Sequence, residues 1–93
     1  TAGMQARKAT PEVLFGREIA RLKRSVGISL EGLGFGAEVH RTYVSQLERG
    51  LKSPPLSVIL KLASELKASS SKLVATVARD LRRVRKSMIR TSA

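Results

Sequence analysis

Four polar side chains recur at helical spacing in the middle of the chain: Arg41, Thr42, Ser45 and Gln46. An arginine can bond bidentately to guanine and a glutamine to adenine, while a threonine offers a hydroxyl and a methyl group that suit thymine. Val44 and Leu47 alternate with this set, so a helix with those two residues buried would turn the polar side chains toward solvent. The pattern predicts a face that reads base edges, although any basic amphipathic helix presents a similar face.

Side chains suited to phosphates flank this set. Arg49, Lys52 and Tyr43 lie where a nucleic-acid backbone would pass, and there they would position the segment rather than select a sequence. His40 has no His, Cys or clustered acid at a spacing that suits a metal ion. We therefore interpret His40 as a helix N-cap or a phosphate contact.

The charge balance also points to a polyanionic partner. The 93 residues include 18 Lys and Arg against 7 Asp and Glu, which gives a formal net charge of +11. An anionic membrane surface is the competing partner, but no apolar stretch approaches the roughly 20 residues that span a bilayer. We expect a cytoplasmic, nucleoid-associated protein.

Residue types that serve catalysis are scarce. The chain has no Cys and one His, which removes disulfides, zinc fingers, thiol catalysis and most catalytic triads. The run Gly32-Leu33-Gly34-Phe35-Gly36 is not a phosphate-binding nucleotide loop, because no strand is predicted before it and the Lys-Ser/Thr ending is absent. We expect no enzymatic activity, no metal and no cofactor.

Helices are the elements predicted to position these side chains. Apolar residues make up 42% of the chain but aromatic residues only 3%, so the core must be built from Leu, Ile, Val and Ala. The predicted fold class is all-α. Caps and apolar spacing predict helices over residues 10–26, 29–37, 40–49 and 56–66, and a fifth that begins at 69–71.

Glycine and proline punctuate this pattern. Gly27 and Gly50 end the first and third helices. The two prolines at 54–55 prevent the segment before the fourth helix from being helical. Glycines at 32, 34 and 36 weaken the second helix by roughly 1 kcal/mol each relative to alanine.

The two ends of the chain differ from the single domain predicted over residues 10–78. Residues 1–9 are small, polar and basic, and we interpret them as a tag remnant and a flexible N-terminal arm. Residues 79–93 form a basic C-terminal extension with Leu81, Val84 and Met88 at helical spacing. That extension fits either a solvated, fraying helical tail or a longer fifth helix that packs on a partner subunit.

The most specific stretch of the sequence is Val39-His40-Arg41-Thr42-Tyr43-Val44-Ser45-Gln46-Leu47-Glu48-Arg49-Gly50, followed by Pro54 and the helix from Leu56 to Ala63. With it, residues 15–74 resemble the Cro and lambda-repressor type of helix-turn-helix regulators, the XRE-type family. The Arg-Thr-Tyr and Glu-Arg elements particularly resemble restriction-modification controller proteins. The resemblance implies a compact five-helix lambda-repressor-like domain. It also implies a sequence-specific transcriptional regulator that binds double-stranded DNA at a palindromic operator as a homodimer.

The resemblance assigns base reading to Arg41, Thr42 and Gln46, with Ser45 close by, and phosphate contact to Arg49 and the loop after it. It further implies that Glu48 pairs with Lys23 near the end of the first helix and locks the recognition helix onto the scaffold. The alternative is a solvated surface pair between Glu48 and Arg49 or Lys52, since such pairs are common and weak.

Several positions depart from the family pattern. Leu30 replaces a polar residue that touches the DNA backbone, so we expect that contact to be missing. Glu38 stands where the family has the turn glycine and must accept an unfavourable backbone angle or shift the turn. Gly34 replaces a close-packed alanine, and Phe35 and Gly36 replace polar surface residues. We expect the second helix to be short, distorted or mobile.

Two rival functions remain open. One is an antitoxin that binds a toxin and autoregulates its operon, for which only residues 79–93 could supply an additional toxin-binding segment. The other is a non-specific nucleic-acid binder that uses the basic extension. RNA polymerase is a further candidate protein partner, because a transcriptional regulator can contact it.

Overall fold

The computed structural model describes residues 9–92, which form five helices in that range. They are α1 (Pro11–Val26), α2 (Leu30–Ala37), α3 (Arg41–Glu48), α4 (Leu56–Glu65) and α5 (Ser70–Ser92). No residue of the described range lies in a strand, so the predicted all-α fold class is confirmed. α1 packs on α3 and α5, α2 packs on α3 and α4, and α4 packs on α5. Residues 1–8 of the predicted N-terminal remnant and arm lie outside the described residues.

Side-chain caps set the helix starts. Thr10 Oγ1 accepts a hydrogen bond from the Val13 N–H at 3.1 Å, and Ser29 Oγ accepts one from the Gly32 N–H at 2.9 Å. Ser69 caps α5 in the same way. Each bond satisfies one of the backbone donors that a helix leaves open in its first turn. Because these caps are local, α1, α2 and α5 begin at the residues that their sequences predict.

Four residues after helix ends adopt the left-handed backbone conformation. Two are glycines, Gly27 (φ 83°) and Gly50 (φ 74°), and two are not, Glu38 (φ 62°) and Lys67 (φ 55°). Glu38 therefore accepts the unfavourable angle rather than shifting the turn. Its conformation allows the Val39 N–H to donate to the Gly34 carbonyl oxygen at 2.8 Å, which closes the end of α2.

α2 is short, as expected, but it is not distorted. Its 8 residues form a regular helix, although three of them are glycines. A Cβ placed at Gly34 would lie 2.7 Å from the Val39 carbonyl oxygen, so glycine lets the chain turn back closely into α3. Packing against α3 and α4 stabilises α2 where intrinsic helix propensity does not.

The core lies where the five helices meet and is almost entirely aliphatic. Its largest fully buried side chains are Ile19, Leu33, Val44, Leu47, Leu62 and Leu66. Phe15 is the one aromatic side chain among the buried residues that the structure describes. No charged or polar residue among residues 9–87, whose burial the structure describes, is fully buried.

Gly16 brings the backbones of α1 and α3 into direct contact. A Cβ at Gly16 would collide with the Leu47 carbonyl oxygen and lie 2.7 Å from that of Glu48. Just after α3, a Cβ at Gly50 would lie 2.8 Å from the Val13 Cα. The last turn of α3 thus rests on the backbone of α1 at Gly16, and Gly50 packs directly against Val13.

α5 continues without a break through the predicted domain boundary at residue 78 and into the basic extension. It has 23 residues, yet neither α5 nor any other described helix is long and apolar enough to cross a membrane. Leu81 and Val84 are partly buried, whereas Arg82, Arg83 and Arg85 are exposed. Both forms expected for the extension are helical, so this course alone does not decide between a solvated tail and a fifth helix that packs on a partner subunit.

We predict that Gly16→Ala lowers the free energy of unfolding by about 1 to 3 kcal/mol, because the added methyl group meets backbone atoms that cannot move aside. The matched control is Gly32→Ala, where the new Cβ would lie 3.2 Å from the side chains of Ile28 and Ser29, which can adjust. Both changes bring the same gain in helix propensity of about 1 kcal/mol. Urea unfolding followed by circular dichroism measures both. Equal effects of the two substitutions would contradict the backbone contact.

Candidate nucleic-acid interface

Two buried side chains fix the rotation of α3 about its own axis. Val44 and Leu47 are 0% exposed, and both belong to the central core cluster. Their burial turns the opposite side of α3 toward solvent, because residues three and four apart share one face of a helix. A short helix of 8 residues is held in one orientation by these two contacts.

The four side chains predicted to read bases lie together on the solvent side of α3. Arg41 and Thr42 are exposed, while Ser45 and Gln46 are partly exposed. Arg41, Thr42 and Ser45 also line an open cleft between α3 and the start of α2. The arrangement gives one guanidinium, two hydroxyls and one amide on a continuous surface, which can donate and accept hydrogen bonds along a row of base edges.

His40 caps the start of α3. Its Nδ1 accepts a hydrogen bond from the Thr42 N–H at 3.0 Å. Because Nδ1 is the acceptor, the proton of the neutral ring lies on Nε2. The ring is exposed, so Nε2–H at the start of α3 can donate to a phosphate oxygen. His40 is therefore the N-cap of α3, and its contact with a phosphate stays a prediction.

The other side chains predicted to contact phosphates differ in exposure. Arg49, at the C-terminal end of α3, and Lys52, in the loop after it, are exposed. Tyr43 is partly buried and packs against the core cluster. Arg49 and Lys52 therefore present their full charge at one edge of the α3 face, whereas Tyr43 first contributes packing to the domain.

Lys23 of α1 and Glu48 of α3 form an ion pair. Lys23 Nζ lies 3.2 Å from Glu48 Oε2 and donates a long hydrogen bond of 3.4 Å to Oε1. The two side chains are only 17% and 15% exposed, and Oε2 is buried without a hydrogen bond of its own. The pair therefore attracts mainly through charge in a partly desolvated position, where screening by water is weaker than at the surface. Neither Arg49 nor Lys52 forms the surface pair with Glu48 that was the alternative.

Two features near α3 were not predicted from the sequence. Ser29, Leu30 and Glu31, at the start of α2, line one cleft together with Arg41, Thr42 and Ser45. Gly16 sets the approach of α3 to α1. Its signal in the sequence is a glycine inside a strongly amphipathic helix, where it costs roughly 1 kcal/mol unless close packing requires it.

Comparison with known proteins gives one family and several relatives. The family described as "Helix-turn-helix domain" matches residues 14–77, which include all of α2, α3 and α4. The control protein C.BamHI of Bacillus amyloliquefaciens is 36% identical over 55 residues, which are 58% of this chain and 68% of that protein.

Two solved structures have similar folds. The restriction-modification controller protein C.AhdI from Aeromonas hydrophila is 38% identical, with a TM-score of 0.63 over 66% of this chain and 92% of that one. The clp gene regulator ClgR from Corynebacterium glutamicum has a TM-score of 0.75 over 88% of this chain and 89% of that one. At 21% identity, the ClgR match speaks for the fold alone.

We predict that Glu48→Ala lowers the melting temperature and weakens DNA binding together, because it leaves the Lys23 ammonium partly buried without its partner. The expected loss is on the order of 1 to 3 kcal/mol in the free energy of unfolding. Asp80→Ala is the control, since Asp80 pairs with Arg79 on one helix and the two side chains are 36% and 53% exposed. Thermal unfolding and a DNA titration of both variants make the comparison. If Glu48→Ala is as stable as the wild type, the Lys23 and Glu48 pair is no stronger than an exposed surface pair.

Proposed function

This chain belongs to the helix-turn-helix domain family of DNA-binding transcriptional regulators, and we propose that it binds an inverted-repeat operator as a homodimer. The observation that carries the proposal is the solvent face of α3, where Arg41, Thr42, Ser45 and Gln46 lie opposite the buried Val44 and Leu47. A major groove admits one helix, and each of these side chain types has a partner among the base edges there.

The roles within the interface follow from position on α3. Arg41 and Thr42 lie in its first turn, the part of a recognition helix that reaches deepest into the groove. Gln46 and Ser45 follow one turn later on the same face. His40, Tyr43, Arg49 and Lys52 then contact phosphates on either side: His40 through Nε2–H, Tyr43 through its hydroxyl, and the other two through charge. The Lys23 and Glu48 pair holds α3 at the angle that these contacts need.

A second copy of the chain would cover an uncharged apolar surface formed by α4 and α5. Leu56, Leu60 and Val74 are 69%, 49% and 48% exposed, and residues 73–78 of α5 carry no charge in a protein of net charge +11. A mainly apolar groove, which Phe15 and Ile59 line together with Glu12, adjoins this surface at Val74. An exposed apolar area without charges is typical of a protein interface.

Dimerisation would also compensate for the small size of the surface that reads bases. α3 has 8 residues, so it is about 12 Å long and contacts only a few base pairs. Two copies related by a two-fold axis would place their α3 helices in successive major grooves about 34 Å apart. An operator with inverted half-sites follows from that symmetry. A toxin or RNA polymerase as a further partner stays a prediction from the sequence.

We predict that Arg41→Ala and Gln46→Ala each cost about 1 to 3 kcal/mol in binding to an operator selected from randomised duplexes by the wild-type protein, and leave binding to random DNA nearly unchanged. Arg49→Ala and Lys52→Ala are the matched comparison. They should weaken binding to both DNAs similarly and reduce the salt dependence, because phosphate contacts carry no sequence information. Titrations at two salt concentrations test all four variants. Equal losses on both DNAs for Arg41→Ala and Gln46→Ala would favour the non-specific binder.

We predict that Leu60→Glu converts a dimer into a monomer and weakens operator binding, because it places a charge in the uncharged surface between two copies. Val26→Glu is the control, since Val26 is 40% exposed near the end of α1 and away from that surface. Sedimentation at micromolar concentration measures the mass of each variant. A wild-type protein that is monomeric both free and on its operator would overturn the two-half-site proposal.

A further inference from the structure

The open cleft between the start of α2 and the start of α3 has one wall without a role so far. Six residues line the cleft, three from each helix start: Ser29, Leu30 and Glu31 on the α2 wall, and Arg41, Thr42 and Ser45 on the α3 wall. Leu30 is the one apolar side chain among the six. The contacts proposed above with base edges use only the α3 wall, so they do not explain a leucine at this place.

The packing of α2 fixes Leu30 next to the start of α3. Gly34 follows Leu30 by one turn, so the two residues share a face of α2. A Cβ at Gly34 would lie 3.2 Å from the Arg41 backbone nitrogen and 3.4 Å from the Arg41 Cα, so this face lies directly against the start of α3. Leu30 is partly buried, because it packs against the core cluster and also lines the cleft. The cleft therefore has a fixed apolar wall beside Arg41.

The α2 wall is unsuited to the DNA backbone. Leu30 offers no hydrogen bond to a phosphate, and the exposed carboxylate of Glu31 repels one. Ser29 Oγ already accepts a hydrogen bond from the Gly32 N–H as the cap of α2. Since Arg41 lies in the same cleft and is proposed to bind a guanine, the α2 wall would face base edges rather than phosphates.

Base edges in the major groove offer an apolar side chain one kind of partner. Among the four bases, thymine alone presents a methyl group there, at C5, while the others present hydrogen-bond donors and acceptors. Methylation of cytosine at C5 places the same group at the same position. Thr42 supplies a second methyl group to the cleft, from the wall opposite Leu30.

We propose that Leu30 and Thr42 form a contact for the 5-methyl group of a pyrimidine in the base pair next to the guanine that Arg41 reads. The proposal rests on the proposed function, because it requires α3 to lie in a major groove. Stacked base pairs are about 3.4 Å apart, so a guanidinium and an apolar wall in one cleft can meet neighbouring pairs. Leu30 is then a specificity-determining residue for that pair. Where the pyrimidine is a cytosine, methylation of the DNA becomes a signal that the protein reads.

Four operator duplexes that differ at one pyrimidine test the proposal on the full chain. The starting duplex is an operator selected by the wild-type protein, and the guanine is the one whose replacement no longer matters in Arg41→Ala. The neighbouring pair carries thymine, uracil, cytosine or 5-methylcytosine, each with its matching purine, and the set is made for the pair on either side of the guanine. Uracil is thymine without the methyl group, and 5-methylcytosine is cytosine with one.

We expect the methylated base to bind about fourfold more tightly than its unmethylated counterpart in at least one of these two comparisons, because the contact buries one methyl group. A difference between thymine and uracil identifies thymine as the source of the methyl group. A difference between 5-methylcytosine and cytosine identifies DNA methylation as the source.

Two variants assign the effect to Leu30. Leu30→Gln keeps the length of the side chain but removes its apolar end, so the ratio of the two affinities should fall to about one. Leu30→Met is the matched control, because methionine restores an apolar end and should recover the ratio. The ratio compares two duplexes with one protein sample. Partial unfolding of a variant, or a new contact of the glutamine with a phosphate, therefore does not change it.

Two results would overturn this inference and leave the proposed function intact. The first is equal affinity within both comparisons on both sides of the guanine. The second is an unchanged ratio in Leu30→Gln, since the methyl group would then act through the shape of the DNA alone. If the wild-type protein selects no operator at all, the proposed function fails and this inference fails with it.

Discussion

The contact on which the rest of the structure depends is the one between Gly16 of α1 and the last turn of α3. Backbone meets backbone there, so the angle between the two helices is set by atoms that cannot change rotamer. Val44 and Leu47 then fix how α3 is turned about its axis, and the Lys23 and Glu48 pair adds an attraction between α1 and α3 at that same last turn. The side chains proposed to read bases inherit their directions from these three constraints. A helix of 8 residues could not hold such an orientation through its own hydrogen bonds.

Two of the acidic residues in this basic protein connect separate helices. Glu48 connects α3 to α1, and Glu38 connects the turn after α2 to Lys61 of α4. The second pair is exposed and therefore weak at neutral pH. Its carboxyl has a lowered pKa, so its small stabilising effect is present above the ordinary pKa of a glutamate and disappears as the pH falls through the lowered one. Acid thus removes this small contribution at the turn between α2 and α3.

Local signals in the sequence were sufficient to predict the helix boundaries. They were not sufficient to predict the contacts between distant segments. Thr10, Ser29 and Gly27 act through bonds to residues three or four positions away, so their effects can be predicted without knowing the fold. The role of Gly16 depends on a segment about thirty residues later and could not be predicted in that way. Periodicity predicted that Arg41 and Gln46 share a solvent face, because Val44 and Leu47 mark the buried one. It could not show that Tyr43 packs on the core or that Leu30 and Glu31 line the same cleft.

The unbroken course of α5 ties the direction of its basic end to the body of the domain. Each residue of an α-helix advances the chain by about 1.5 Å and turns it by about 100°. Inserting or deleting a single residue between Val77 and Arg82 would therefore rotate all the later charges to another side while leaving their order unchanged. A whole heptad would nearly restore the original direction and shift the charges by about 10 Å. The side of α5 on which the arginines lie, more than their number, therefore determines which neighbouring surface the positive charge faces.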